Sequence, residues 1–172
     1  KDIEIARRLG ADGVVFGCLT ADGEVDLTSM QILMEASKGL SVTFHRAFDV
    51  CRNPQKALEE IIELGCNRIL TSGQQPTAEQ GIGLLKELQG LAAGRITLLA
   101  GCGVNENNIA RIAAETGINE LHFSARESIQ SEMKFRNEVV SMGGTVHINE
   151  YERNVTSVRR VKETVEALYK GM

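Results

Sequence analysis

His45, Arg46 and Asp49 place a proton-transfer group, a fixed cation and a carboxylate within five residues. They follow Val42-Thr43-Phe44, an extended run of β-branched and aromatic residues. Asn53 and Pro54 follow, a cap and first-position pair that opens a helix. Polar groups where a buried strand gives way to a loop are typical of sites in parallel α/β folds. His45 would serve as general acid or base, with Asp49 orienting it or acting as a second acid–base group. Arg46 would hold a carboxylate or phosphate by a two-pronged contact. The plainer alternative is that Arg46 and Asp49 simply pair and that His45 is a satisfied core histidine.

Other chemistry-bearing residues fall at equivalent places. Gly101-Cys102-Gly103 leads into a helix start, where backbone amides of Gly101 and Gly103 could approach an anion. Ser124-Ala125-Arg126 would add a hydroxyl and a guanidinium. Thr71-Ser72-Gly73, with Ser72 as the candidate, reads either as an anion-binding turn or as ordinary turn chemistry. Cys18, Cys51 and Cys102 follow three different strands on one rim, whereas Cys66 falls at the opposite end and reads as core. Soft thiolates suit Cu(I), and a free cysteine is also a common small buried hydrophobe. No nucleophile elbow, P-loop or HExxH pattern occurs.

The elements that must position these residues repeat. Gly10, Gly39, Gly65, Gly94 and Gly117 each stop a helix, and an apolar strand follows at 13–17, 41–45, 67–71, 95–99 and 119–123. The spacing is that of one strand plus one crossover helix, so a parallel sheet is expected. Thr28 with Gln31 and Thr77 with Gln80 read as capping boxes, and Asn105 as a cap. A last helix is expected over 155–170, and 126–151, with its Gly143-Gly144 pair, reads as mostly irregular. Five such strands suit either an open doubly wound sheet or most of a (β/α)8 barrel. The chain starts at Lys1 inside an amphipathic pattern (Ile3, Ile5, Ala6, Leu9), so its beginning is expected to be missing.

Composition narrows the function classes. With 172 residues, 42% hydrophobic and 24% charged, the chain suits one domain with a substantial core. A net charge of −4, 4% aromatic residues and no Trp argue against a nucleic-acid partner. No apolar run has the roughly 20 residues of a membrane span. Four dispersed cysteines without a CxxC pair fit a reduced, cytoplasmic setting.

Gly10-Ala11-Asp12-Gly13-Val14-Val15-Phe16-Gly17, Val42-Thr43-Phe44-His45-Arg46-Ala47-Phe48-Asp49, Leu70-Thr71-Ser72-Gly73, Ser124-Ala125-Arg126 and Lys134-Phe135-Arg136-Asn137 together resemble the CutC copper homeostasis family, in order and over essentially the whole chain. The resemblance implies an α/β fold of TIM-type (β/α)8 barrel, a cytoplasmic location and a homo-oligomer, dimer or tetramer. It implies that 1–172 is a single barrel domain lacking its N-terminal βα units, with only the later strands and helices present. The cysteines proposed for copper in the family lie in those first strands, so copper binding would fall here to Cys18, Cys51 or Cys102. Two functional readings therefore stand. One is copper homeostasis through Cu(I) binding or copper tolerance. The other is a barrel enzyme acting on a small anionic or phosphorylated substrate through His45, Asp49, Arg46 and Arg126. A third, an assembly protein with an idle rim, leaves the polar ring unexplained.

Overall fold

The computed structural model describes residues 1–137, 139–143, 145–146 and 148–170. Five strands, β1 (Gly13–Phe16), β2 (Ser41–Phe44), β3 (Arg68–Thr71), β4 (Thr97–Gly101) and β5 (Glu120–His122), form one sheet. Every neighbouring pair is parallel, and the spatial order is that of the sequence. A doubly wound sheet reverses its strand order at a switch point. This one does not, and the sequential order is that of a partial TIM-type barrel. Among the described residues no helix is long and apolar enough to cross a membrane.

Helix α1 (Asp2–Arg8) precedes β1, and α2 (Leu27–Ala36), α3 (Pro54–Glu63), α4 (Ile82–Ala92) and α5 (Ile109–Thr116) supply the four crossovers. The strand positions facing them are buried: Val42 and Phe44 on β2, Ile69 on β3, Leu98 and Ala100 on β4. They pack on Met30, Leu58, Ile61, Leu85, Leu88, Ile109 and Ile112 in a single core. On the opposite sheet face Val15 stays largely exposed, and Arg68 binds Glu120 through two nitrogens at 2.6 and 3.1 Å. All five helix-stopping glycines have positive φ, between +73° and +85°, which a residue without Cβ adopts at little cost.

The caps differ in part from the sequence expectation. Asn53 does cap α3, its side chain accepting from the Lys56 amide at 3.0 Å with Pro54 behind it. For α2 the cap is Asp26, which accepts from the Ser29 amide, rather than Thr28. A carboxylate already at the helix start takes the orphan amide before the hydroxyl two residues on. Thr77 accepts from the Gln80 amide, but in a turn that precedes α4. Asn105 accepts from the Asn107 amide, and α5 begins after Asn108.

The largest correction concerns the C-terminal part. Residues Arg126–Gln130 (β6) and Glu152–Thr156 (β7) form an antiparallel pair, not irregular chain. Helix α6 (Val158–Lys170) therefore starts three residues later than its apolar period suggests, and Val158 is exposed. Ala167 and Leu168 pack on the core, and Thr164 is buried. Of the Gly143-Gly144 pair, Gly144 lies outside the described residues.

Candidate functional site

The carboxyl ends of β2 and β3 are joined by Asp49. A 3₁₀ turn, Arg46–Val50, follows β2 and carries its carboxylate to the loop after β3. Oδ1 accepts from the Thr71 hydroxyl at 2.5 Å and from the amides of Ser72 and Gln74 at 3.0 and 3.2 Å. Oδ2 accepts from Arg46 Nε at 2.7 Å. The side chain is only 6% exposed. Both oxygens are engaged, so Asp49 acts as an anchor and orienter rather than as a free proton carrier. Ser72 belongs to the same network. Its hydroxyl accepts from Arg46 Nη2 at 2.9 Å and its single proton lies nearest the Gln75 carbonyl, at 2.5 Å. Asp49 holds the Arg46 guanidinium above its ordinary pKa.

His45 stands at the head of the 3₁₀ turn, where Nδ1 accepts from the Ala47 amide at 3.2 Å. In the neutral ring that leaves the proton on Nε2. Gly17 at the end of β1 makes room, since a Cβ there would lie 2.9 Å from Nδ1. His45 thus caps a turn and is half-buried.

A cleft of about 440 Å³ opens beyond β4 and β5, lined by Arg46, Cys102, His122, Ser124, Arg126 and Arg160 among others. Two of its three guanidinium groups are already neutralised. Arg46 is paired with Asp49, and Arg160 holds Glu106 at 3.0 and 3.1 Å. Arg160 holds the Glu106 carboxyl below the usual carboxylate range. Its remaining nitrogen donates to the backbone carbonyl of Arg126. Arg126 itself forms no ion pair among the described residues. His122, Ser124 and Arg126 alternate as exposed residues with half-buried Phe123 and buried Ala125. β5 ends at His122 and Ala125 has a left-handed φ of +45°, so a bend between β5 and β6, not a continuous strand, brings this His-x-Ser-x-Arg arm to the cleft.

The sequence candidates are thus divided. Arg46, Cys102, Gly103, Ser124 and Arg126 come together at the cleft. Asp49 and Ser72 sit behind Arg46, and His45 caps its turn. Gly101 closes β4, where a Cβ would meet Leu70 Cδ1 at 2.7 Å, so close packing is its evident purpose. Sequence reasoning passed over His122, Arg160 and Glu106 as site residues. The alternation at 122, 124 and 126 was an available signal for the first. Nothing local marked Arg160, because it arrives from a helix 34 residues beyond Arg126.

The thiols make separate contacts. Cys102 donates to the Pro76 carbonyl at 3.0 Å, and Cys51 is buried beside the Gln74 amide group. Cys18 is half-buried against the core. Burial pushes the Cys51 thiol up, and that of Cys66 to about 11. Among the described residues no group of three or more His, Cys, Asp or Glu side chains is placed to hold a metal ion. The three rim cysteines therefore do not fit Cu(I) as one ligand set.

Sequential parallel strands with a polar cleft at their carboxyl ends define a barrel-type α/β protein. The sequence profile of the CutC family matches residues 1–127, and the chain belongs to that family. It is 77% identical over 168 residues to a family protein CutC of Bacteroides thetaiotaomicron, covering 98% of this chain and 68% of the relative. It is 48% identical over 167 residues to one from Porphyromonas gingivalis, covering 97% and 67%. The chain spans about two thirds of the length of these relatives. A crystal structure of the CutC protein of Streptococcus agalactiae, named there for copper homeostasis, matches with TM-score 0.68 and 34% identity over 70% of this chain and 60% of that one. A solved chain described as the native KDPGal structure matches with TM-score 0.57 at 14% identity, over 99% of this chain and 64% of that one, and supports the fold alone.

Proposed function

We propose that the cleft beyond β4 and β5 binds a small anionic molecule and that His122 exchanges a proton with it. The observation that carries this reading is Arg126, a guanidinium without a carboxylate partner among the described residues, set beside His122 and Ser124. An unneutralised cation in a cleft is favourable ground for an anion, and arginine matches carboxylate and phosphate geometry. The acid–base role passes from His45, whose Nδ1 is spent on a turn amide, to His122. Asp49 orients Arg46. The test is a thermal-shift screen of carboxylates and phosphorylated compounds. A ligand present at about 100 times its dissociation constant adds roughly 2.7 kcal/mol to the folded state. Arg126→Gln should abolish the shift and His45→Gln should preserve it. No shift with any anion would sink the reading.

Copper homeostasis is the second reading, and the name carried by the Streptococcus agalactiae relative favours it. In this reading the chain is a cytoplasmic protein, a dimer or tetramer, that takes Cu(I) as cargo. Cys18 and Cys102, both half-buried, are the thiols within reach of solvent. Cu(I) delivered anaerobically through a competing chelator should raise the melting temperature, and Cys102→Ser or Cys18→Ser should remove the effect. An unchanged melt in the parent chain speaks against it.

A further inference from the structure

We infer that the anion taken by this cleft is a phosphoryl group, seated between the turn at residues 102–104 and the arm formed by Ser124 and Arg126. This rests on the anion-site reading above and names the ligand class.

The cleft holds more donors than a carboxylate can use. A carboxylate has two oxygens, and one guanidinium fork satisfies both. If Arg126 met a carboxylate in that way, every other donor facing the cleft would be left over. Those donors are several. The Ser124 hydroxyl and the His122 ring make no hydrogen bond with the described residues. The amides of Gly103 and Val104, residues that also line the cleft, find no protein acceptor among the described residues. His122, Ser124, Arg126 and Gly103 are exposed, so these donors are open to a ligand entering from solvent. A phosphoryl group brings three strong acceptor oxygens. Arg126 can occupy two, and Ser124 with the two amides can serve the third and the remaining lone pairs.

The turn at 102–104 is held in the shape this requires. Cys102 and Gly103 both have positive φ, +79° and +73°. The Gly103 carbonyl is tied back by the side-chain amides of Asn105 and Asn108, each at 2.9 Å. A trans peptide points its N–H opposite to its carbonyl, so the Val104 N–H is directed away from those two asparagines. The Cys102 carbonyl accepts from the Ala78 amide at 2.9 Å, which turns the Gly103 N–H away from the Ala78 loop. Both carbonyls, the groups that would repel an anion, are therefore occupied elsewhere. The charge balance agrees, since no carboxylate lines the cleft among the described residues, and Asp49 and Glu106 are each paired with one of its arginines.

The test is titration of the chain with methyl phosphate, inorganic phosphate and acetate, followed by 31P line broadening and by thermal shift. Methyl phosphate should bind at least roughly tenfold more tightly than acetate, the factor expected for about one further charge-assisted hydrogen bond. Arg126→Gln and Ser124→Ala should each weaken phosphate binding while leaving the melting temperature of the free chain unchanged. If Arg126→Gln fails to fold, Ser124→Ala carries the test. Acetate binding as well as methyl phosphate, with loss in Arg126→Gln, would overturn the phosphoryl assignment and leave the anion site standing. Phosphate binding indifferent to both substitutions would overturn the placement. Binding of none of the three overturns both readings.

Discussion

Arg46 Nε donates to Asp49 Oδ2 at 2.7 Å, so two residues that look from the sequence like separate functional partners are bound to each other. The carboxylate also gathers the Thr71 hydroxyl and the amides of Ser72 and Gln74. It ties the turn after β2 to the turn after β3. Asp49→Asn would set an NH2 group against these donors and leave Arg46 without its counter-charge. We expect a loss of about 2 to 3 kcal/mol, within the range for breaking a largely buried, multiply bonded charge. A urea melt measures it. A melt unchanged by Asp49→Asn would show that the carboxylate is not an anchor.

A second expectation concerns Arg160 and Glu106, which never contact each other in any local reading of the sequence. Arg160 uses two nitrogens on Glu106 and the third on the Arg126 carbonyl, so it fixes the backbone that presents Arg126. It is a positioning residue. Arg160→Lys keeps the charge but loses the planar fork. Anion affinity should fall severalfold while stability changes by less than about 1 kcal/mol, since the pair is partly exposed. The Glu106 pKa lies below its unfolded value. The pair's contribution is therefore present above the ordinary glutamate pKa and is lost as pH falls through the depressed value. Glu106→Gln should flatten that acid limb of the melting profile. An acid limb identical to that of the parent would contradict the pairing.

The sequence carried most of the scaffold and less of the site, for a physical reason. The five strands, their order of appearance and the five glycine stops were legible because each depends on neighbours within one helix turn or one strand. β4 is displaced, since Arg95 and Ile96 precede the first paired residue, Thr97. The hairpin of β6 and β7 was missed because its strands are polar and pair across more than 20 residues, so neither has an apolar alternation to reveal it. His45 looked catalytic because it follows a strand directly, yet its ring is used by the amide two residues on. His122 was hidden inside a strand. Arg160 could not be placed at all without knowing that α6 returns to the carboxyl ends of the strands.

Two glycines make a paired test of the site's supporting loop. A Cβ on Gly81 would lie 1.9 Å from the Ser72 carbonyl oxygen, a backbone atom that cannot move without shifting the Asp49 network. Gly81→Ala should cost roughly 1 to 3 kcal/mol, the usual penalty for overpacking. Gly83, inside α4, has nothing within 4 Å of its virtual Cβ. Gly83→Ala should stabilise by about 0.5 to 1 kcal/mol through helix propensity. Chemical melts of the two variants should move in opposite directions. Equal shifts would mean that the loop yields where the close approach says it cannot.

Cys66 lies at the amino end of β3, away from the rim. The residue is 5% exposed and its thiol touches Met34 Sδ at 3.8 Å. Desolvation pushes its pKa from 9.0 to about 11. Below pH 9 the thiol is protonated in both folded and unfolded chains, and nothing changes. Between about pH 9 and 11 the unfolded chain releases the proton and the folded chain keeps it. Stability must therefore fall as pH rises through that window, by roughly 2 to 3 kcal/mol for a shift of this size. Cys66→Ala removes the titration, so the difference between the two chains isolates it from the tyrosines and lysines that titrate nearby. The slopes of the two stability curves should diverge above pH 9 and run parallel below it. Parallel slopes throughout would mean that the thiol ionises in place, and hence that water reaches the amino end of β3.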